Sequence, residues 1–257
     1  MFSLKDRVVV VSGASSGLGE EFALQMGRYF TDIDQVWLIA RRKEKLEALA
    51  KRLPGVESVV LPLDLCDQAS FSVLADKLAA EKPDVRLLIN NAGIGFLANV
   101  GEGDLMDQVN MTTLNMTALT AVTHITIPYM SRGGRIICVS SIASFCPNAR
   151  MTVYSSTKAY VSSFTRGLSI ELKSRGVCVT AVCPGPMATE FLDIGSIKGN
   201  SKTFETLPYC DPVKVVAGTL KAAKAGRVFY TPKAFYKLYR VLAKILPHAL
   251  IGPLAKC

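Results

Sequence analysis

Arg7-Val8-Val9-Val10-Val11-Ser12-Gly13-Ala14-Ser15-Ser16-Gly17-Leu18-Gly19 is the stretch that decides the fold. Its first half, through Ser12, is an unbroken apolar run, as in a strand buried on both faces rather than on one. Its second half is a glycine turn of the form G-x-x-x-G-x-G, and Glu20–Phe30 follows with helical spacing. A strand, glycine turn and helix in that order bring backbone N–H groups and a helix N-terminus up to a pyrophosphate. Gly13, Ser15, Ser16, Gly17, Leu18 and Gly19 are therefore the first candidate cofactor-binding residues.

Outward from this turn, short apolar strands alternate with helix-period segments. Gln35–Ala40, Ser58–Leu63, Leu87–Asn90, Arg135–Ser140 and Val177–Val182 read as further strands. Lys43–Leu53, Ser70–Ala80, Leu105–Met130 and Met151–Arg175 read as the helices between them. This alternation predicts an α/β fold, a doubly wound parallel sheet with helices on both faces. No linker or repeat interrupts the 257 residues. One domain is expected: a dinucleotide-binding and catalytic part over 1–211 and an extension of it over 212–257. Gly185–Asp211 has no clear period and reads as a mobile loop.

Composition narrows the class. A 49% hydrophobic, 20% charged chain is neither disordered nor fibrous. The longest uncharged stretch, Val109–Ser131, carries Thr, Asn and His124, and so reads as a buried helix and not a membrane span. The apolar run at the start is too short for a signal peptide. Seven cysteines without C-x-x-C spacing, beside only two histidines, predict reduced thiols and no metal site. A cytoplasmic protein is expected. The net charge of +9 comes wholly from the end: after Asp211 nine basic residues follow and no acidic one, leaving 21 of each sign before it. A neutral body with a basic tail does not read as a nucleic-acid protein.

Two clusters carry chemistry. The second strand ends Ala40-Arg41-Arg42. An acidic residue there would hold the ribose 2′-OH of NAD, whereas arginine accommodates the 2′-phosphate of NADP. Arg41 and Arg42 therefore predict NADP(H). Farther on, Tyr154 and Lys158 stand four apart in a helical segment, on one face. A free phenol titrates near 10. Working near neutrality requires the ammonium and a positive nicotinamide ring to favour the phenolate by about 4 kcal/mol.

In order, the loop SGASSGLG, Asn90-Asn91-Ala92-Gly93, Ser141, and Tyr154 with Lys158 closely resemble the short-chain dehydrogenase/reductase family, over roughly residues 5–190. The resemblance implies a Rossmann-type sheet of about seven strands and reversible hydride transfer between a nicotinamide and a carbonyl/alcohol pair. It makes Tyr154 the general acid or base, with Lys158 assisting it and holding the nicotinamide ribose. Ser141 would bond the substrate oxygen, in preference to Ser140. Asn115, in preference to Asn110, would anchor a proton-relaying water. The same resemblance puts Asp64 and Leu65 at the adenine, and Asn91, Ala92 and Gly93 along the cofactor. It puts Pro184, Gly185 and Thr189 of P-G-P-M-A-T around the nicotinamide amide. It also suggests a homodimer or homotetramer.

The tail falls outside the resemblance. Lys233, Lys237, Arg240 and Lys244 share one face of a helix over Lys233–Leu246. Phe235, Leu238, Tyr239, Leu242, Ile245 and Leu246 take the opposite side. Packing on the body, capping a substrate entrance and lying on an anionic membrane all remain open. Together these readings predict an NADP(H)-dependent oxidoreductase for a fairly apolar carbonyl or secondary alcohol, steroid-like, acyl or xenobiotic. The alternative is a nucleotide-sensing or scaffolding protein on the same fold.

Overall fold

The computed structural model describes residues 6–251 except 196 and 198. Seven strands form one parallel sheet: β1 (Arg7–Ser12), β2 (Gln35–Ile39), β3 (Glu57–Leu61), β4 (Asp84–Asn90), β5 (Arg135–Val139), β6 (Cys178–Val182) and β7 (Phe229–Tyr230). Their order is β3-β2-β1-β4-β5-β6-β7. The chain winds outward from β1 to β3, then returns to lay β4 on the other side of β1. That reversal opens a crevice at the carboxyl ends of β1 and β4, where a doubly wound sheet binds its ligand.

The unbroken apolar run of β1 is explained by two cores. Val9 and Val11 pack with Leu18 and Phe22 of α1 (Gly17–Gln25), Leu46 of α2 (Lys43–Ala50), and Val216 and Leu220 of α9 (Pro212–Lys224). Val8 and Val10 point the other way, into Leu74 and Leu78 of α3 (Ala69–Glu81), Val122 of α5 (Leu119–Thr126), and Val161 and Leu168 of α6 (Thr152–Glu171). Each such side chain, fully removed from water, contributes about 1.5–3 kcal/mol. With both faces of β1 buried, no position in Val8–Val11 can carry a charge.

Three segments differ from the sequence reading. The predicted helix 105–130 is broken into α4 (Leu105–Thr112), a wider π-helical turn over Thr113–Ala118, α5, and a 3₁₀ turn over Ile127–Tyr129. Thr112 and Thr113 both donate to the Val109 carbonyl, and Thr120 donates to Met116. These hydroxyls take up carbonyls as the helical ladder widens. The predicted loop 185–211 holds two single-turn helices, α7 (Glu190–Ile194) and α8 (Lys202–Thr206). Residues beyond 211 supply α9, the two-residue strand β7 and α11 (His248–Ile251), which the reading did not place, along with α10 (Ala234–Ile245), which matches the helix expected over Lys233–Leu246.

Candidate active site

The glycine turn is locked to the end of β4. Ser12 Oγ accepts the amides of Asn91 and Ala92, both at 3.1 Å, and donates to the Ile89 carbonyl. Asn91 Nδ2 donates back to the carbonyls of Ser12 and Gly13. The approach is so close that a Cβ on Gly13 would lie 2.8 Å from the Ala92 Cα, in a backbone with φ +65°. Gly19 is equally committed, because a Cβ there would strike the Gly13 carbonyl. Gly17 differs: its φ is +58°, and only Thr189 across the cleft lies near, at 3.6 Å. Ser16 precedes α1 without capping it through its side chain, so the first amides of α1 have no side-chain cap. This uncapped N-terminus in a glycine cradle suits a phosphate group.

At the end of the cleft beside β2 and β3, Ala40, Arg41, Arg42, Asp64 and Leu65 all line the wall. Arg42 lies across the glycine turn, donating to Ser15 Oγ and Ser16 Oγ, both at 3.0 Å. Its guanidinium also pairs with Glu190 at 2.9 Å, and Lys45 joins the same carboxylate. Lys45 and Arg42 together hold the Glu190 carboxyl down at about 2, so it stays ionised at any working pH. Sequence reasoning missed Glu190 and Lys45. They stand far apart in the chain, and the position of Glu190 directly after Thr189 is the one signal that could have raised it.

The chemical end is built from four elements. Tyr154 and Lys158 sit in the first turns of α6, four apart and both buried. Ser141 caps the turn after β5, where its Oγ accepts the Ala143 amide at 3.1 Å. Lys158 Nζ donates to the Val139 carbonyl at 2.9 Å and lies 5.7 Å from the centre of the Tyr154 ring. The π-helical turn aims Asn115 inward, where it is 1% exposed. Its Oδ1 accepts the Ile94 amide at 2.9 Å, while its Nδ2 donates to Ile94 O and Thr157 Oγ1. Gly93 keeps the space beside it clear: a Cβ would come within 3.0 Å of Asn115 Oδ1 and 3.2 Å of Lys158 Nζ. Both alternatives also line the cleft. Ser140 is spent on Lys158 O and Ser162, and Asn110 is half-buried on the cleft wall instead of on the outer helix surface.

The sequence reading has the ammonium and a positive nicotinamide ring together favour the phenolate. In the protein by itself burial prevails and pushes Tyr154 up to about 12, with a Ser141 hydrogen bond opposing it. Burial also brings Lys158 down to about 8. The phenol is thus held neutral, the form of a proton donor, beside an amine that titrates near the physiological range.

The P-G-P-M-A-T segment closes the far wall. Pro184 O accepts from Ile142 N, and Thr189 begins α7. Gly185 makes room for the ring of Tyr236, which α10 inserts behind it and whose hydroxyl donates to Pro208 O at 2.8 Å. The whole cleft measures about 710 Å³. It runs from Arg41 past Tyr154 to Phe204, Leu242 and Ile251.

The family model described as short chain dehydrogenase matches residues 7–195. Sulfoacetaldehyde reductase 2 of Chromohalobacter salexigens is 34% identical over 190 residues, which is 72% of this chain and 74% of that protein. A short-chain dehydrogenase from Sphingobium yanoikuyae, solved in complex with NADPH, superposes with a TM-score of 0.78 at 27% identity, covering 95% of this chain and 97% of its own. A short chain dehydrogenase/reductase from Burkholderia phymatum, solved in complex with NAD, shares the fold with a TM-score of 0.79 at 21% identity, over 95% of each chain. The two solved neighbours thus hold one nicotinamide dinucleotide or the other. Matched by that family model over most of its length, this chain belongs to the short-chain dehydrogenase/reductase family of oxidoreductases.

Proposed function

We propose that the protein is an NADP(H)-dependent oxidoreductase that interconverts an apolar carbonyl compound and its secondary alcohol. The observation that carries this reading is the convergence of Ser141, Tyr154 and Lys158 at one end of a cleft, with Asn115 buried next to Gly93 of its wall, while the other end holds a glycine cradle and two arginines. A nicotinamide bound there supplies hydride in one direction and accepts it in the other. The residues to hold it are the Gly13–Gly19 turn, Arg41 and Arg42, Asp64 and Leu65, Asn91–Gly93, Lys158, and Pro184–Thr189. Arg42 would take the 2′-phosphate by exchanging the Glu190 carboxylate for it, one anion for another.

In reduction the neutral Tyr154 phenol donates its proton to the carbonyl oxygen as negative charge develops there. Ser141 holds that oxygen by a hydrogen bond. Lys158 returns the proton to the phenol, with Asn115 anchoring the relay beside it.

The wall beyond Tyr154 supports an apolar substrate. Ile94, Met151, Phe191, Leu192, Phe204 and Leu207 line it, and Lys158 is the one cation among the described lining residues at this end. A sulfonate or phosphorylated substrate would require another. A panel of ketones assayed with NADPH and NADH tests the reading. Tyr154→Phe should reduce turnover by about 10²–10⁴-fold while cofactor still binds. Near-normal turnover in that variant, or equally tight binding of NADH and NADPH, would overturn it.

A further inference from the structure

Helix α10 turns its sides in three directions. Tyr236 and Ala243 face the body and are buried, and Arg240 folds in over the Phe229 ring at 4.3 Å. Lys233, Lys237 and Lys244 form a second, exposed side. On the third, Phe235, Leu238, Val241, Leu242 and Ile245 are all exposed, with Leu238 at 59% and Ile245 at 72%. At 100° per residue these five span about 120° of the helix. Leu250 of α11 is exposed as well. Such a continuous apolar stripe, bordered by charge, marks a surface that has a partner.

Charge and the cleft together select the partner. Beyond Asp211 every ionised side chain is basic. A second copy laid face to face on α10 would set these lysines against their own kind, whereas anionic headgroups would neutralise them. The stripe also runs into the cleft, for Phe235, Tyr239, Leu242 and Leu246 line its mouth. Among the described residues no helix is long and apolar enough to cross a membrane, so any lipid contact made by this helix is peripheral.

We propose that α10 is a docking surface for an anionic lipid bilayer. The helix lies in the interface with its apolar stripe among the upper acyl chains and Lys233, Lys237 and Lys244 against the headgroups. Because the cleft opens beside the stripe, a hydrophobic substrate passes from the bilayer to Tyr154 without crossing water. That last step rests on the apolar-substrate reading above; the docking does not.

Flotation of the full-length protein with two kinds of vesicle tests the docking: phosphatidylcholine alone, and phosphatidylcholine with about one third phosphatidylglycerol. Binding should be confined to the anionic vesicles at about 0.1 M salt and be lost near 1 M. Each basic residue at such a surface contributes about fivefold, so Lys237→Gln with Lys244→Gln should weaken binding on the order of 30-fold. Leu238→Ser with Ile245→Ser should abolish it. Neither pair lines the cleft, so reduction of a short water-soluble ketone without vesicles should be unchanged in both. No flotation at low salt, or equal flotation of all variants, overturns the proposal. So does a fall in sedimentation mass caused by the serine pair alone, which would make the stripe a subunit contact. Flotation by a chain that reduces none of the ketones leaves the docking standing and removes the substrate reading instead.

Discussion

Replacing Asn115 with leucine keeps the volume of the side chain but removes its amide. The two backbone groups of Ile94, N–H at 2.9 Å and C=O at 2.8 Å, then lose their partner. Thr157 is spared, because its hydroxyl still donates to Tyr154 O. A buried polar group left unpaired costs about 1–3 kcal/mol. Ile94 is only half-buried, which puts the pair at about 2–3 kcal/mol and the fall in Tm at about 5–10 °C for a chain of this size. Catalysis should suffer through position. The segment after Ile94 is packed against the phenol so closely that a Cβ on Gly95 would sit 2.8 Å from the Tyr154 ring and 2.7 Å from Phe191. Loosening that wall by about 1 Å lowers kcat on the order of 10²-fold, while KM for a ketone and the Kd for NADPH move only a few-fold. Thermal melts and steady-state kinetics on the folded variant separate the two effects. A melt within about 2 °C of the parent, or an undiminished kcat, would refute the assignment of Asn115 as the residue that positions this loop.

Four further outcomes are expected. Since Lys158 titrates near 8 and Tyr154 keeps its proton to about 12, ketone reduction should decline as pH rises through about 8, where the ammonium is lost. Lys158→Arg, charged at every accessible pH, should lack that limb, and a parent profile flat to pH ~10 would contradict it. The unfolded chain holds the same lysine proton to about 10.4, so this residue's burial penalty on stability is relieved between about pH 8 and 10.4, and urea midpoints should show it. Glu190→Gln removes the carboxylate competing for Arg42 and should tighten NADPH binding about two- to fivefold in a fluorescence titration, with little change for NADH; weaker NADPH binding would make Glu190 a clamp and not a competitor. Gly185→Ala drives a methyl group into the Tyr236 ring, and should cost about 1–3 kcal/mol and expose α10 to limited proteolysis; unchanged stability and digestion would show that the ring can yield.

Local chemistry was enough for much of this protein. A doubly buried strand needs an unbroken apolar run, a phosphate cradle needs glycines at its turn, and a helix puts residues four apart side by side. β1, the Gly13–Gly19 turn and the Tyr154/Lys158 pair were therefore legible before any coordinates. Asn115 could be favoured over Asn110 by resemblance, but the π-helical turn that aims it inward depends on hydroxyl-to-carbonyl bonds whose choice among rival helical ladders is made by packing. β7 is two residues long, too short for any period, and is a strand only because β6 offers it an edge. The Glu190 pair with Arg42 and Lys45 joins segments that only the folded sheet brings together. For α10, hydrophobic spacing defined an apolar face without saying where it points. Tertiary structure decided that, by seating Tyr236 behind Gly185 and leaving Leu238 and Ile245 turned outward, because a helix's orientation is set by the side chains that find space in the body, here Tyr236 and Ala243, and not by the average of its faces.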